Sequence, residues 1–209
     1  IPPLITISKK KGFLDFPDIR KLHNSPTVRL GGLSIFIGLY SSILTSFFFG
    51  NFTEYKILEI NAFLVLLTGG LMFFSLGLME DLRPLSPFLR LFLQFIFSFI
   101  LWIQGLRIEG LNFFLFNSKI FDFTFSSYLS IPITCLFIVG IINAFNWIDG
   151  LDGLAAGIAI ILFVSLTFFE NTSIFLVLSL IGSLSAFLIF NIKGSTIMMG
   201  DGGSYMLGV

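Results

Sequence analysis

The sequence predicts an all-α bundle of membrane-spanning helices, and three observations indicate it. Of the 209 residues, 56% are hydrophobic and 11% are charged, and the mean hydropathy is +0.98. A soluble domain has about 25% charged residues. The charged residues also separate six uncharged windows, and basic residues concentrate in alternate connections between them. We therefore interpret residues 1–209 as a single integral membrane domain.

The six windows are expected to form six complete transmembrane helices, since about 17 to 25 apolar residues cross the hydrocarbon as a helix. The third window is short, but Arg90 and Arg107 at its ends can extend along it and keep their charges at the interfaces. A further helix is expected to begin near Gly203. The chain starts without Met and stops in an apolar run, so we interpret it as truncated at both ends. The windows lie between Arg29 and Glu54, Glu59 and Glu80, Arg90 and Arg107, Asp122 and Asp149, Asp152 and Glu170, and Glu170 and Lys193.

Six crossings place alternate connections on opposite sides of the membrane, and the basic residues divide unequally between those sides. One side receives Lys9, Lys10, Lys11, Arg20, Lys21, Arg29, Arg83, Arg90 and Lys193, and the other receives Lys56, Arg107 and Lys119. The richer side is expected to be cytoplasmic at the plasma (inner) membrane. The external connection alternates apolar and polar residues around 117–118, which predicts a short β-hairpin.

The same topology gathers acidic residues from four segments at the cytoplasmic face. They are Asp15, Asp18, Glu80, Asp81, Asp149, Asp152 and Asp201. Carboxylates from separate segments, mixed with Lys and Arg, are what binding of a metal and phosphates requires. The formal net charge of zero gives no reason to expect a nucleic-acid partner.

The segment NAFNWIDGLDGLAAG, residues 143–157, carries the most specific pattern. Asn143, Asn146, Asp149 and Asp152 recur every three residues, so that on a helix neighbouring members share a face. Such a polar row at the end of a membrane helix is costly without partners. A site is the favoured interpretation, and helix capping at a turn is the alternative.

Three other segments are less specific. In MGDGGSYMLG, residues 199–208, a glycine-rich helix start could offer backbone N–H groups to a phosphate while Asp201 binds a cation; a simple turn is the alternative. In residues 78–94, adjacent Glu80 and Asp81 suit a cation or a general base, or a solvated loop. Residues 15–32 form a basic loop that could grip a diphosphate, although a positive-inside anchor is favoured. Its His23 is the single histidine and cannot make a metal site alone.

In this order, and across nearly the whole chain, the four segments resemble the polyprenyl-phosphate N-acetylhexosamine-1-phosphate transferases. This superfamily includes phospho-MurNAc-pentapeptide translocase, and NAFNWIDGLDGLAAG is more similar to its WecA and TagO branch. The loop with Lys21, His23, Pro26, Arg29, Gly31 and Gly32 is similar to the family's RK-H-P-R-GG segment. Two departures stand out: the family usually has Asp at position 80 and Lys at position 90.

The resemblance implies transfer of a sugar 1-phosphate, from a UDP-sugar such as UDP-N-acetylglucosamine to undecaprenyl or another polyprenyl phosphate, with release of UMP. This is the first membrane step of envelope polysaccharide synthesis. Assembly of the chain into a homodimer is left open. Mg²⁺, with Mn²⁺ as the alternative, would be bound by Asp201 and Asp149. The expected catalytic residues are Glu80, Asp81, Asp149 and Asp152. The expected substrate-binding residues are Lys21, His23, Arg29, Arg90, Asn143, Asn146, Asn191 and Ser204.

Two other functional classes compete with the transferase. An intramembrane aspartyl protease has a Gly-x-Gly-Asp signature, which residues 198–201 nearly match, except that position 198 is Met. An ion-coupled transporter would place carboxylates near the middle of the membrane, whereas these are expected at one interface.

Overall fold

A computed structural model describes residues 1–15, 26–49, 57–115, 118–168, 174–192 and 196–209. Within these ranges the chain is mainly helical, with two short pairs of antiparallel strands. The helices are α1 (Pro2–Lys11), α2 (Gly31–Phe49), α3 (Ile57–Leu82), α4 (Pro87–Ile103), α5 (Ser127–Ile148), α6 (Leu154–Leu166), α7 (Ile174–Ile192) and α8 (Gly200–Leu207). The strands are β1 (Leu14–Asp15), β2 (Thr27–Val28), β3 (Gly110–Leu115) and β4 (Ser118–Thr124).

Helices α2 to α7 occupy the six predicted windows in order, which confirms the all-α membrane fold. Within the described ranges, three helical segments are long and apolar enough to cross a membrane, namely Phe63–Leu82, Ser127–Ile148 and Ile174–Ile192. Segments Gly31–Thr45, Pro87–Ile103 and Leu154–Leu166 are also apolar but shorter. The number of complete crossings stays a prediction.

The structure adds a short helix and a strand pair before the first window, neither of which the sequence indicated. Helix α1 ends at Gly12, whose φ of 74° is left-handed, and carries three Lys in its last turn, where the helix dipole favours positive charge. Strands β1 and β2 then pair Asp15 with Thr27. Lys21 and His23 lie between these strands, in residues 16–25, outside the described part of the chain.

The short helix α8 lies at the centre of the bundle, packed against α3, α5 and α2, and all its residues are buried. The close approach of α8 to α3 and α2 depends on two glycines. A Cβ on Gly77 of α3 would collide with the backbone of Asp201, and one on Gly32 of α2 with the backbone of Gly203. These contacts set the start of α8 directly beside the end of α3 and the start of α2.

The turn between α5 and α6 interrupts the predicted polar row. Asn143 and Asn146 lie on α5, but Asp149 is the residue after its end, with φ −74° and ψ 40°. Asp152 lies in the following turn, before Gly153 with its left-handed φ of 78°. The expectation that the row continues along one helix, with neighbouring members on a shared face, was therefore wrong, because the Gly-rich turn redirects the chain after Ile148.

The predicted hairpin is confirmed at the other end of the α4–α5 pair. Strands β3 and β4 pair in antiparallel register, and side chains of α5 fix the connection that precedes them. The backbone N–H of Ile108 donates to Thr134 Oγ1 at 2.9 Å, and Ser130 Oγ donates to the Ile108 carbonyl at 2.9 Å. Trp102 Nε1 also donates to Ser130 Oγ, at 3.0 Å.

Candidate active site

Two carboxylates from distant segments bind the first three backbone N–H groups of α8. Asp81 Oδ1 accepts from the N–H of Asp201 at 3.0 Å, and Asp81 Oδ2 accepts from that of Gly202 at 2.9 Å. Asp149 Oδ2 accepts from the N–H of Gly200 at 3.1 Å. The first turn of a helix has N–H groups without helical partners, and negative charge is favoured there. The sequence left a phosphate contact and a simple turn open for these N–H groups, and in the structure the protein's own carboxylates occupy them.

Arg29 joins the same cluster from the segment that precedes α2. Its Nε lies 3.4 Å from Asp81 Oδ1, its Nη2 lies 3.5 Å from Asp201 Oδ1, and its Nη1 lies 4.0 Å from Asp15 Oδ1. Its backbone is fixed by the neighbouring glycine N–H groups at 31 and 32, which donate to the carbonyls of residues 198 and 199. The Arg29 side chain is 37% exposed, so it remains accessible to an anion that approaches the carboxylates.

Asn146 orients the carboxylate of Asp201 from α5. Its Nδ2 donates to Asp201 Oδ1 at 2.6 Å and to Ser204 Oγ at 3.1 Å. Asp201 is 8% exposed, whereas Ser204 is fully buried and donates to the Asp201 carbonyl at 3.3 Å. The burial of Ser204 favours a supporting role beneath Asn146 over direct contact with a substrate.

The cluster brings the carboxyl groups of Asp81, Asp149 and Asp201 together around one guanidinium among the described side chains, that of Arg29. Burial raises the pKa of Asp149 to about 8, and the Gly200 N–H opposes this increase. The negative charges of Asp201 and Asp81 add to the increase, and the charge of Arg29 reduces it. A divalent cation would relieve this repulsion.

The donor set fits Mg²⁺ as a cation shared with a substrate. Nowhere in the described ranges do three His, Cys, Asp or Glu side chains form a group that could hold a metal ion. Mg²⁺ prefers oxygen ligands and is usually bound by one or two carboxylates together with substrate phosphates. Asp201 and Asp149 supply oxygens of this kind at one end of α8.

The sequence model described as Glycosyl transferase family 4 matches residues 63–209, which is more than half of the chain. The chain belongs to glycosyl transferase family 4. Within family 4, it is 34% identical to a probable undecaprenyl-phosphate N-acetylglucosaminyl 1-phosphate transferase of Bacillus subtilis (strain 168), over 100% of the chain and 56% of the relative. It is 32% identical to an undecaprenyl-phosphate alpha-N-acetylglucosaminyl 1-phosphate transferase of Thermotoga maritima, over 98% of the chain and 57% of the relative.

A Wolbachia phospho-N-acetylmuramoyl-pentapeptide-transferase is 34% identical over 88% of the chain and 57% of its own length. The family 4 chain thus spans about half the length of the curated relatives it matches. The resemblance to the polyprenyl-phosphate transferases and to their WecA and TagO branch is confirmed. Neither the protease nor the transporter gains support from these relatives.

The two adjacent acidic residues of this family 4 chain have different partners. Glu80 Oε2 accepts from the N–H of Leu85 at 2.9 Å, and Glu80 Oε1 lies 3.6 Å from Arg90 Nη1, whereas Asp81 faces α8 and Arg29. Consecutive residues of a helix point about 100° apart. The two side chains therefore diverge, Glu80 toward Arg90 and Asp81 toward Arg29. Their catalytic roles stay predictions.

Other predicted site residues hold the scaffold of the site. Asn143 Nδ2 donates to Gln94 Oε1 at 2.8 Å and to the Val139 carbonyl at 2.7 Å. Asn191 is buried; it accepts from the N–H of Gly153 and donates to the Ile197 carbonyl at 2.8 Å. These contacts favour positioning over contact with substrate. Asp152 is exposed in the neighbouring turn, and its role also stays a prediction.

Three further residues shape the site: Gln94 and Gly77, which sequence analysis did not select, and Asp15, which it included only in the acidic group. Gln94 is fully buried and is the partner of Asn143. Asp15 adds a third carboxylate beside Arg29. Gly77 lies one helical turn before Asp81 and permits the contact with α8. A glycine inside a helix is unfavourable without a reason, so this position was a usable signal.

Proposed function

We propose that this chain is the catalytic core of a transferase that moves N-acetylglucosamine 1-phosphate from UDP-N-acetylglucosamine to undecaprenyl or another polyprenyl phosphate. The observation that carries the proposal is the convergence of Asp81, Asp149, Asp201 and Arg29 at the start of α8. The names of the relatives support the sugar and the lipid. The excess of Lys and Arg near this end supports a cytoplasmic active site at the plasma membrane.

In the proposed reaction, an oxygen of the lipid phosphate attacks the sugar-proximal phosphorus of the UDP-sugar. A bond from phosphorus to the lipid phosphate forms as the bond from phosphorus to UMP breaks, and UMP leaves with the bonding electrons. Because a phosphate is already a nucleophile, catalysis consists mostly of positioning and charge neutralisation. Mg²⁺, when bound, would neutralise diphosphate oxygens and stabilise the leaving UMP.

The chain's own residues divide the remaining tasks. Asp201 and Asp149 are the proposed Mg²⁺ ligands, and Asn146 fixes the orientation of Asp201. Arg29 is accessible and is placed to bind a phosphate oxygen. Asp81 has both oxygens engaged by α8. Asp149 uses only Oδ2 for Gly200, so its other oxygen is the proposed position either for Mg²⁺ or for the proton taken from the lipid phosphate.

The proposal is tested with Asp201→Asn in membranes that contain the complete protein. Lipid-linked N-acetylglucosamine formation from UDP-N-acetylglucosamine should fall at least about 100-fold, the loss expected when a group that stabilises transition-state charge is removed. Asp122→Asn, in the hairpin, is the matched control and should keep full activity. Unchanged product formation by Asp201→Asn would contradict the assignment.

A second assay identifies the reaction and the sugar. UMP release should require added polyprenyl phosphate and Mg²⁺, and a panel of UDP-N-acetylhexosamines should single out the donor. Neither a protease nor a transporter would release UMP in this way. Polyprenyl-independent release of UMP would rule out the proposed acceptor.

A further inference from the structure

The β3–β4 hairpin lies at the end of the bundle opposite the carboxylates. Helix α3 ends beside the site and α4 starts there, so the 17 residues of α4 carry the chain about 25 Å away. Helix α5, with 22 residues, returns over about 33 Å and ends at Ile148, directly before Asp149. The hairpin is therefore too far from the site to contact its substrates.

The hairpin has one apolar face and one polar face. Leu111 pairs with Phe123 and Phe113 pairs with Phe121, and paired or alternate residues of a hairpin share a face. These four side chains are 46–60% exposed. The intervening pair, Asn112 and Asp122, lies on the other face. A hairpin that belonged in water would not expose four large apolar side chains together.

The base of the hairpin is fixed at the level where the helices end. Ser130 and Thr134 of α5 bind both backbone polar groups of Ile108, which leads directly into β3. An isolated two-stranded hairpin is marginally stable in water. The structure thus holds the apolar face beside the helix ends, where something further must cover it.

Aromatic and basic side chains at the same level indicate what covers it. Trp102 lies in the last turn of α4, and the Arg107 guanidinium is 4.3 Å from the centre of its ring. Tyr128 lies in the first turn of α5 and is 87% exposed. Trp and Tyr concentrate at the headgroup level of membranes. These side chains place the headgroup level at the helix ends from which the hairpin extends.

We infer that the face formed by Leu111, Phe113, Phe121 and Phe123 lies in the boundary between lipid headgroups and acyl chains, on the side of the membrane opposite the carboxylates. Asn112 and Asp122 face water. The hairpin is thus a membrane-contact element that sets the depth of the α4–α5 pair. This inference does not depend on the proposed reaction.

Spin labels on single cysteines test it in the complete protein, reconstituted into liposomes of phosphatidylethanolamine and phosphatidylglycerol. Cys135→Ser, which removes the buried thiol, provides the background. Phe121→Cys and Phe113→Cys place a label on the apolar face of each strand, and Asn112→Cys is the matched control on the other face. Power saturation then compares collisions with oxygen, which partitions into lipid, and with a water-soluble nickel chelate.

Labels at 121 and 113 should collide with the nickel chelate several-fold less than the label at 112, and more with oxygen. Equal exposure of all three labels to the nickel chelate would overturn the inference. A lipid-facing label in only one strand would also overturn it. Spin–spin broadening at 121 that disappears on dilution with unlabelled protein would instead show that a second copy covers the face.

Discussion

At both ends of the bundle, side chains form hydrogen bonds to the backbone of another segment. These side chains are carboxylates at the site end and neutral hydroxyls at the hairpin end. At the site end, the carboxylates of Asp81 and Asp149 bind backbone N–H groups of α8. At the hairpin end, the hydroxyls of Ser130 and Thr134 bind the backbone of Ile108. Hydroxyls satisfy the backbone without adding charge, whereas carboxylates store negative charge in a partly buried place. The difference fits the proposed function, in which the charge at the site end acts on a cation and on substrate phosphates.

If the site end depends on backbone contact, then Gly77→Ala should have the largest effect on stability. The new methyl would collide with the backbone of Asp201, which cannot move without shifting α8. We expect the free energy of unfolding to fall by about 3 kcal/mol or more, the upper range for overpacking. The measurement is the midpoint of unfolding by SDS in mixed micelles.

Gly140→Ala in α5 is the matched control for this substitution, because its methyl would meet no atom within 4 Å. Alanine should stabilise that helix by about 0.5 to 1 kcal/mol relative to glycine. Equal destabilisation by the two changes would show that α3 and α8 are not in backbone contact.

The next largest effect is expected from Asp81→Asn. The amide would lose the charge that pairs with Arg29 and would set an NH₂ group against an N–H of α8. Lost hydrogen bonds to a charged group cost about 1.5 to 3 kcal/mol each, and relief of repulsion with Asp201 offsets part of this. We expect a loss of about 2 kcal/mol by the same unfolding assay, with at least tenfold lower product formation. If the Asp81→Asn variant is as stable and as active as the unchanged protein, Asp81 has no role in the site.

At the hairpin end, Ser130→Ala should affect stability without affecting activity. It removes the acceptor for Trp102 Nε1 and the donor to the Ile108 carbonyl, at a cost of about 1 to 2 kcal/mol. Product formation should stay within about twofold, because α4 separates this position from the site by about 25 Å. Ser165→Ala, whose hydroxyl bonds within its own helix, controls for loss of a hydroxyl. A loss of activity comparable to that of Asp81→Asn would show that the two ends are coupled.

The smallest effect is expected from Glu80→Asp, which introduces the residue usual at this position among the transferases that the chain resembles. The Glu80–Arg90 pair is partly exposed, and such pairs contribute about 0 to 1 kcal/mol. The shorter side chain should weaken the contact with the N–H of Leu85. We expect less than about 1 kcal/mol of destabilisation and only a few-fold change in kcat/KM. A 100-fold change in kcat/KM would instead show that Glu80 acts in the catalytic centre.

The sequence predicted the helices and the hairpin because both follow from patterns along the chain. Uncharged windows between charged residues gave α2 to α7, and alternation around 117–118 gave the strands. Alternating crossings also brought Asp81, Asp149 and Asp201 to one end. These properties depend on hydrophobicity and connectivity, which a sequence displays directly.

The directions of individual side chains could not be predicted in the same way. Spacing alone did not show that Asn143 turns to Gln94 while Asn146 turns to Asp201, since that depends on which helices flank α5. The spacing also could not show that Asp81 accepts hydrogen bonds from N–H groups of α8, a helix that begins 119 residues later. Such contacts depend on packing between distant segments, and they decide which acidic residues remain accessible to a ligand.

The order of the site segments along the chain, with α8 after Arg29, Asp81 and Asp149, has a consequence for biogenesis. Translation delivers Arg29, Asp81 and Asp149 well before Gly200 leaves the ribosome, so the earlier helices enter the bilayer before their carboxylates have the backbone groups that hold them. The centre is assembled only when α8 docks. A nascent polypeptide that stalls earlier would therefore be membrane-inserted yet inert.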